Sequence, residues 1–154
     1  MFKINYLEIK RNEKANKSLY KNLKPGKYLF RTKENKIVFW GSHVNIQAIV
    51  GKNGSGKSSL MDLLYMAINN FAYMFERGHH RAAASSLFYV RDLYVDVNYT
   101  INETEYTLCC DGNSTQIIDS NNNKSIASFS LNHQNASEYE INDKEIHKIV
   151  KHFF

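Results

Sequence analysis

The chain has little cysteine and no long apolar run, and each shortage excludes a class of protein. Its two cysteines, Cys109 and Cys110, are adjacent in the 154-residue sequence. Because successive strand side chains point to opposite faces, we expect one thiol in the core and one on the other face, without a disulfide or metal site. No run approaches the roughly 18 apolar residues of a membrane span, and the N-terminus has no signal-peptide core. These features favour a cytoplasmic protein.

The composition is that of one globular domain, with 43% hydrophobic and 13% aromatic residues. The net charge is +5, but residues 1–36 alone carry eleven Lys or Arg against three acidic residues, a local charge of +8. Such a basic segment suits contacts with phosphate or nucleic acid. A solvated, lysine-rich surface is the simpler interpretation, and the charge alone does not decide between the two.

The first third of the chain predicts short strands separated by a polar connection. Alternating apolar residues at 3–10 predict a half-buried strand, and residues 27–30, 36–40 and 44–50 predict three more. The only proline, Pro25, is followed by Gly26 and predicts a turn before the second strand.

The rest of the chain predicts one helix, a meander of strands and a terminal helix. Leu60, Leu63, Leu64, Ala67, Ile68 and Phe71 recur at helical spacing and predict a helix over about 57–75. Four alternating segments within 92–131 are separated by short polar turns and predict antiparallel hairpins. Ile141, Ile146, Ile149 and Val150 predict a final helix. The adjacent His79 and His80 lie in a predicted loop and do not suit a metal site.

Between the strand predicted at 44–50 and the helix lies the sequence "GKNGSGKS", which fits the phosphate-binding pattern G-x-x-x-x-G-K-[ST]. A polyphosphate is held by inward-pointing backbone N–H groups, and the required dihedrals are accessible mainly to glycine. The N-terminus of the following helix adds unpaired N–H groups and the positive end of its dipole. The predicted phosphate-contacting residues are Gly51, Lys52, Asn53, Gly54, Ser55, Gly56, Lys57, Ser58 and Ser59.

Two of these residues have specific predicted roles. Lys57 reaches the terminal phosphates and is the predicted catalytic residue, because its charge would stabilise the transferring phosphoryl group. The Ser58 hydroxyl is the predicted Mg²⁺ ligand.

The loop "GKNGSGKSSLMDLL", with asparagine before its second glycine, resembles that of ABC-type ATPases of the Rad50, SMC and RecF branch and of related AAA-type defence ATPases. The resemblance implies an α/β P-loop NTPase fold, with a mixed sheet around the P-loop helix plus an antiparallel β-hairpin meander. It implies that residues 1–154 are the N-terminal lobe of an ABC-type ATP-binding domain, truncated before the Walker B and signature motifs. It also implies ATP and Mg²⁺ as ligands, a homodimer of heads, and DNA as a possible partner in repair or defence.

The same resemblance places the segment after the first strand near the base, so Arg11 and Asn12 are candidate nucleotide contacts, with exposed connector residues as the alternative. His43 and Asn45 are weaker candidates. No Walker B strand, signature motif or Q-loop glutamine is evident; "QIID", ending at Asp119, is a poor match to Walker B. We therefore expect the chain alone to bind ATP but to hydrolyse it poorly.

Two other functions fit the same loop. One is a nucleotide-binding switch without turnover, which is complete at this length. The other is the ATP-binding subunit of an ABC transporter, in which an upstream aromatic residue, here Tyr20 or Tyr28, stacks on adenine. No membrane contact is expected under the preferred interpretation.

Overall fold

The computed structural model describes residues 2–30, 56–78, 88–131, 137–141, 146 and 149. Its strands and continuous helices are, in chain order, β1 (Phe2–Ile9), α1 (Lys17–Tyr20), β2 (Gly26–Leu29), α2 (Lys57–Gly78), β3 (Leu93–Ile101), β4 (Thr104–Gly112), β5 (Ser114–Asp119), β6 (Lys124–Leu131) and β7 (Ser137–Ile141). The predicted helix over 57–75 and the predicted strands over 3–10, 27–30 and 92–131 are confirmed. The strands predicted at 36–40 and 44–50 lie outside the described residues.

Within the described ranges the strands form one seven-stranded sheet in the order β2-β1-β3-β4-β5-β6-β7, and every neighbouring pair is antiparallel. The prediction of an α/β P-loop NTPase fold with a mixed sheet around the helix is therefore wrong. The predicted meander of hairpins, by contrast, is present and forms most of the sheet. Its strands follow one another through turns that are too short for the crossover connection of a parallel pair.

The turn between β3 and β4 shows how the local sequence fixes this pairing. Ile101 pairs with Thr104, which leaves Asn102 and Glu103 as a two-residue turn. Both residues have positive φ, 46° and 71° respectively, as a type I′ turn requires. The backbone twist of that turn matches the twist of two antiparallel strands, so the hairpin closes without splaying.

One face of the sheet packs against α2 and forms the core. Cross-strand neighbours on this face include Leu7, Val97, Leu108, Ile117 and Ala127 in one row and Ile9, Val95, Cys110, Thr115 and Phe129 in the next. The helix contributes Leu60, Leu63, Leu64, Ala67, Phe71 and Met74, all buried in the same cluster. Each fully buried large side chain stabilises the fold by roughly 1.5–3 kcal/mol. The helical spacing of these apolar residues therefore positions α2 across the sheet.

The opposite face carries a network of polar side chains centred on Asn98. Asn5 donates from Nδ2 to Asn98 Oδ1 (2.8 Å) and to Thr100 Oγ1 (2.9 Å). Asn98 in turn donates to Glu105 Oε1 (2.8 Å) and to Thr107 Oγ1 (3.1 Å). Asn98 is only 1% exposed, so these bonds satisfy an amide that would otherwise be costly to bury.

The C-terminal part of the chain differs from its prediction in one respect. Ile141 was expected to begin a helix, but it ends β7 and pairs with Ala127 of β6. The open edge of β6 offers backbone hydrogen bonds that an isolated first helical turn does not, which favours the strand there. Ile146 and Ile149 are helical and fully buried in the core, as the spacing predicts, whereas Val150 lies outside the described residues.

Candidate functional site

The candidate site is the N-terminus of α2, where the phosphate-loop pattern ends. The structure describes Gly56, Lys57, Ser58 and Ser59 of that pattern, whereas Gly51, Lys52, Asn53, Gly54 and Ser55 lie outside the described residues. Helix α2 begins at Lys57, and its first turn contains no acidic residue. The first backbone N–H groups of a helix have no acceptor within it, and the dipole concentrates positive charge at the same end. This helix end therefore favours an anion.

Gly56 has the backbone conformation that the pattern predicts for a glycine. Its φ is +87°, in the left-handed region that residues with a β-carbon rarely adopt. Its carbonyl oxygen accepts the hydrogen bond from Leu60 N (2.9 Å), so the chain passes directly from this conformation into the helix. A β-carbon added at Gly56 would lie 2.7 Å from Leu23 Cδ2.

Leu23 belongs to the segment between β1 and β2, residues 10–25, which we call the connector. Two backbone hydrogen bonds hold the connector to the start of β3: Lys10 N donates to Tyr94 O, and Asn16 N donates to Asp92 O, both at 3.0 Å. The single-turn helix α1 lies within the connector and contacts α2. The connector therefore leaves the sheet after β1, contacts the beginning of α2 and returns to the sheet at β2.

An ion pair joins the connector to α2 directly. Lys21 Nζ lies 2.8 Å from Asp62 Oδ2, and both side chains are about half exposed, at 54% and 44%. Lys21 is also the C-cap residue that follows α1, with φ 51° and ψ −118°. Lys21, Leu23 and Asp62 lie outside the phosphate-loop pattern, and no motif in the sequence marks Lys21 or Leu23. Asp62 lies four residues after Ser58 and thus on the same face of the helix, which is the one signal in the sequence for its position.

The Lys and Arg side chains of the connector are exposed, except for that of Lys10, which is partly buried. Its ammonium group lies 2.8 Å from Asp96 Oδ1 and also contacts Asp111 Oδ1. Burial by itself lowers the pKa of Lys10, but hydrogen bonds to Asp111 and Asp96 outweigh it and hold the pKa above its usual value. Lys10 is therefore committed to the sheet and is not available to an anionic ligand.

The two predicted base contacts lie at the start of the connector, and the structure assigns a structural role to one of them. Asn12 Oδ1 accepts from Lys14 N (2.9 Å) and Asn12 O accepts from Ala15 N (3.2 Å), so Asn12 forms a turn. Arg11 is exposed and makes no polar contact among the described residues. Neither residue is brought into contact with the described part of the phosphate loop. His43 and Asn45 lie outside the described residues.

The two tyrosines considered for adenine stacking are both engaged in the fold. Tyr20 is 6% exposed, and its hydroxyl oxygen accepts a hydrogen bond from Tyr94 N (2.7 Å). Tyr28 donates from its hydroxyl to Lys24 O (2.6 Å). The buried position of Tyr20 removes it as a stacking platform and weakens the transporter interpretation.

Asp119, the poor match to Walker B, has a local structural role. Its Oδ1 accepts from Asn121 N (2.9 Å), and its Oδ2 accepts from the side-chain amide of Asn122 (3.1 Å). This is the usual behaviour of an aspartate that begins a turn, here the turn between β5 and β6. Both carboxylate oxygens of Asp119 are therefore used by this turn.

The two cysteines are strand residues on opposite faces of β4, as predicted. Both are free thiols. Burial, with a smaller contribution from Asp96, raises the pKa of Cys109 to about 12. Burial likewise raises the pKa of Cys110 to about 12, opposed by its hydrogen bond with Thr115. Neither thiol is activated as a nucleophile, because a raised pKa keeps the reactive thiolate scarce at neutral pH.

Comparison with protein-family models, with curated proteins and with solved structures found no match to this chain. The described helices include none that is long and apolar enough to cross a membrane. The described residues also contain no group of three or more His, Cys, Asp or Glu side chains that could hold a metal ion. The phosphate-loop pattern at the start of α2 and its surroundings are therefore the features that bear on function.

Proposed function

We propose that the chain binds ATP with Mg²⁺ at the N-terminus of α2, with the polyphosphate enclosed by residues 51–59. The observation that carries this proposal is the backbone of Gly56, whose φ of +87° leads directly into the helix that begins at Lys57. A left-handed glycine immediately before a helix is the geometry that lets consecutive N–H groups converge on an anion. The resemblance of the loop to that of ABC-type ATPases supports the choice of a nucleotide.

The side chains at this end of α2 fit a magnesium-bound polyphosphate. Ser58 is exposed, so its hydroxyl is accessible to a metal ion that also contacts the phosphates. No carboxylate of the first turn opposes the negative charge of the ligand. Mg²⁺ would supply charge neutralisation on the phosphate oxygens, while Lys57 would bring its positive charge to the terminal phosphates.

We propose that turnover by this chain alone is slow. Hydrolysis needs a residue that orients the attacking water, and the aspartate considered for the metal, Asp119, is occupied by the β5–β6 turn. Steady ATP hydrolysis with a partner head, pairing of two heads and action on DNA are proposals that rest on the loop resemblance alone.

Fluorescent ATP titrated into the chain, with and without magnesium, tests this function. We expect saturable binding that weakens when magnesium is removed, and we expect Ser58→Ala to lose most of that magnesium dependence. Ser18→Ala in α1 is the matched control, because it removes a hydroxyl whose partner is Asn16 within the connector. Absence of binding would reject the proposal. So would an affinity for ATP that changes neither when magnesium is removed nor in Ser58→Ala. Phosphate release measured on the same sample separates a binding module from a competent enzyme.

A further inference from the structure

The connector docks on the first two turns of α2 through two separate contacts. Leu23 packs against Gly56, and Lys21 forms its ion pair with Asp62. Asp62 lies four residues after Ser58, so the two side chains share one face of the helix, one turn apart. Helical side chains lean toward the N-terminus of their helix, which directs Asp62 toward the end where the phosphate loop joins α2.

Lys21 is held in an uncommon backbone conformation at this contact. With φ 51° and ψ −118°, it lies outside the regions that residues with a β-carbon normally occupy. Such conformations persist only where the surrounding structure fixes them, and they are concentrated at ligand sites and switches. Here the conformation belongs to a tight turn that is closed by the hydrogen bond from Leu23 N to Tyr20 O (2.9 Å). That turn carries both contacts with the start of α2, the ion pair of Lys21 with Asp62 and the packing of Leu23 on Gly56.

We propose that Lys21 and Asp62 are positioning residues for the polyphosphate. Their ion pair holds the connector against α2 and so keeps Leu23 against Gly56, which sets the conformation of the C-terminal end of the phosphate loop. This inference rests on the proposed ATP-binding function and extends it, because it assigns part of the binding affinity to residues outside the loop pattern. Neither side chain needs to touch the nucleotide.

The exposure of the pair allows a positioning role to be separated from a purely structural one. Half-exposed ion pairs contribute little to folding stability, because solvent screens them and ordering two side chains has an entropic cost. Removing either partner is therefore expected to change the melting temperature by less than about 3 °C. An effect on ATP affinity without an effect on stability indicates positioning.

The test compares Lys21→Ala, Asp62→Asn and the exchanged pair Lys21→Glu/Asp62→Lys by titration with ATP–Mg²⁺ and by thermal unfolding. We expect each single variant to bind roughly two- to fivefold more weakly, which is the most that loss of an exposed ion pair supplies, with a melting temperature close to that of the unmodified chain. We expect the exchanged pair to recover most of the affinity, since the attraction between the two positions is restored. Lys17→Ala is the matched control, because it removes the same charge from α1 without breaking an ion pair recorded among the described residues.

Three results would overturn the inference while leaving ATP binding in place. They are unchanged affinity in both single variants, no recovery in the exchanged pair, and an equal loss in Lys17→Ala, which would indicate net charge as the cause. Lys57→Ala distinguishes failure of the underlying function. If the unmodified chain binds no ATP, or if Lys57→Ala binds as tightly, the proposed function and this inference fail together.

Discussion

Leu23 packs directly against Gly56, so closely that a β-carbon at position 56 would lie 2.7 Å from Leu23 Cδ2. The two residues are far apart in the chain, one in the connector and the other at the entry to α2. Their contact joins the segment that follows the first strand to the end of the phosphate loop. Gly56, the sixth residue of the phosphate-loop pattern, therefore lies against the connector at the point where the chain enters α2.

Gly56→Ala tests the backbone requirement at this contact. We expect the substitution to destabilise the fold by roughly 1–2 kcal/mol, because a β-carbon is disfavoured at φ +87°, and to weaken ATP binding. The overlap with Leu23 involves the mobile end of a side chain and should matter less than the backbone. Urea unfolding of Gly56→Ala with and without Leu23→Ala separates the two effects. Full recovery in the double variant would show that the steric contact, and not the backbone, is decisive.

Asn70, in the C-terminal half of α2, provides a second test. It is fully buried, donates from Nδ2 to Val90 O (2.9 Å), and accepts from Val90 N (2.8 Å). Asn70→Ala leaves both backbone groups without their partner, so we expect a loss of roughly 2–4 kcal/mol in the free energy of unfolding. The control is Asn69→Ala, which removes a more exposed bond to Phe88 O (2.7 Å) and a long one to Asn70 Oδ1 (3.5 Å) but leaves both bonds of Asn70 to Val90, so it should cost about 1 kcal/mol or less. Similar losses in both variants would contradict this explanation.

The β3–β4 turn predicts a stabilising substitution. Glu103 has φ 71° in a turn whose second central position favours glycine. Glu103→Gly is expected to raise the free energy of unfolding by roughly 0.5–1 kcal/mol, since relief of backbone strain exceeds the added entropy of the unfolded chain.

Gly112→Ala, at the end of β4, is the opposite case, because it places a β-carbon where the backbone favours glycine. Its φ is +72° and a β-carbon there would lie 2.5 Å from Tyr94 Oη, so that variant should be destabilised.

The buried thiols predict a loss of stability at alkaline pH. Burial raises the pKa of both cysteines from 9.0 to about 12, so each thiol ionises in the unfolded chain before it ionises in the folded one. Below pH 9 both thiols are protonated in the folded and the unfolded chain, so their ionisation does not reduce the free energy of unfolding. That free energy falls as the pH rises from about 9 to about 12. In that window each thiol lowers the free energy of unfolding by about 1.4 kcal/mol per pH unit.

Urea unfolding at pH 8 and pH 10, compared between the unmodified chain and Cys110→Ala, measures this effect. Cys110→Ala should be less stable at pH 8 because of the cavity it leaves, but its stability should fall less between the two pH values. An identical pH dependence in both proteins would exclude Cys110 as a contributor. Thiol-reactive reagents should modify the folded chain slowly at pH 8 and the urea-unfolded chain rapidly.

Much of the local structure could be predicted from the sequence because its signals are local. The alternation in "LYVDVNYTI" and the spacing of Leu60, Leu63, Leu64, Ala67 and Phe71 each determine which side chains can be buried together. The pairing of β1 between β2 and β3 could not be predicted in this way. Its register, Leu7 opposite Val97 for example, joins segments about ninety residues apart that compete with many equivalent apolar patterns.

The error in fold class has a physical origin in the same limitation. The phosphate-loop pattern carries an expectation of a parallel strand before α2, but the strands that α2 packs on in the described residues come from the meander and are antiparallel. A local motif specifies the backbone at the anion site, not the sheet beneath it. The contacts of Lys21 and Leu23 with α2 were likewise beyond prediction, because they depend on where the connector is placed.

The most direct measurement is a calorimetric titration of ATP–Mg²⁺ into the unmodified chain and into Lys57→Ala. We predict saturable one-to-one binding by the unmodified chain and at least roughly tenfold weaker binding by the variant, with both unliganded proteins folded. Equal affinity in the two proteins, or no saturable heat with a folded unmodified chain, would contradict nucleotide binding at the start of α2.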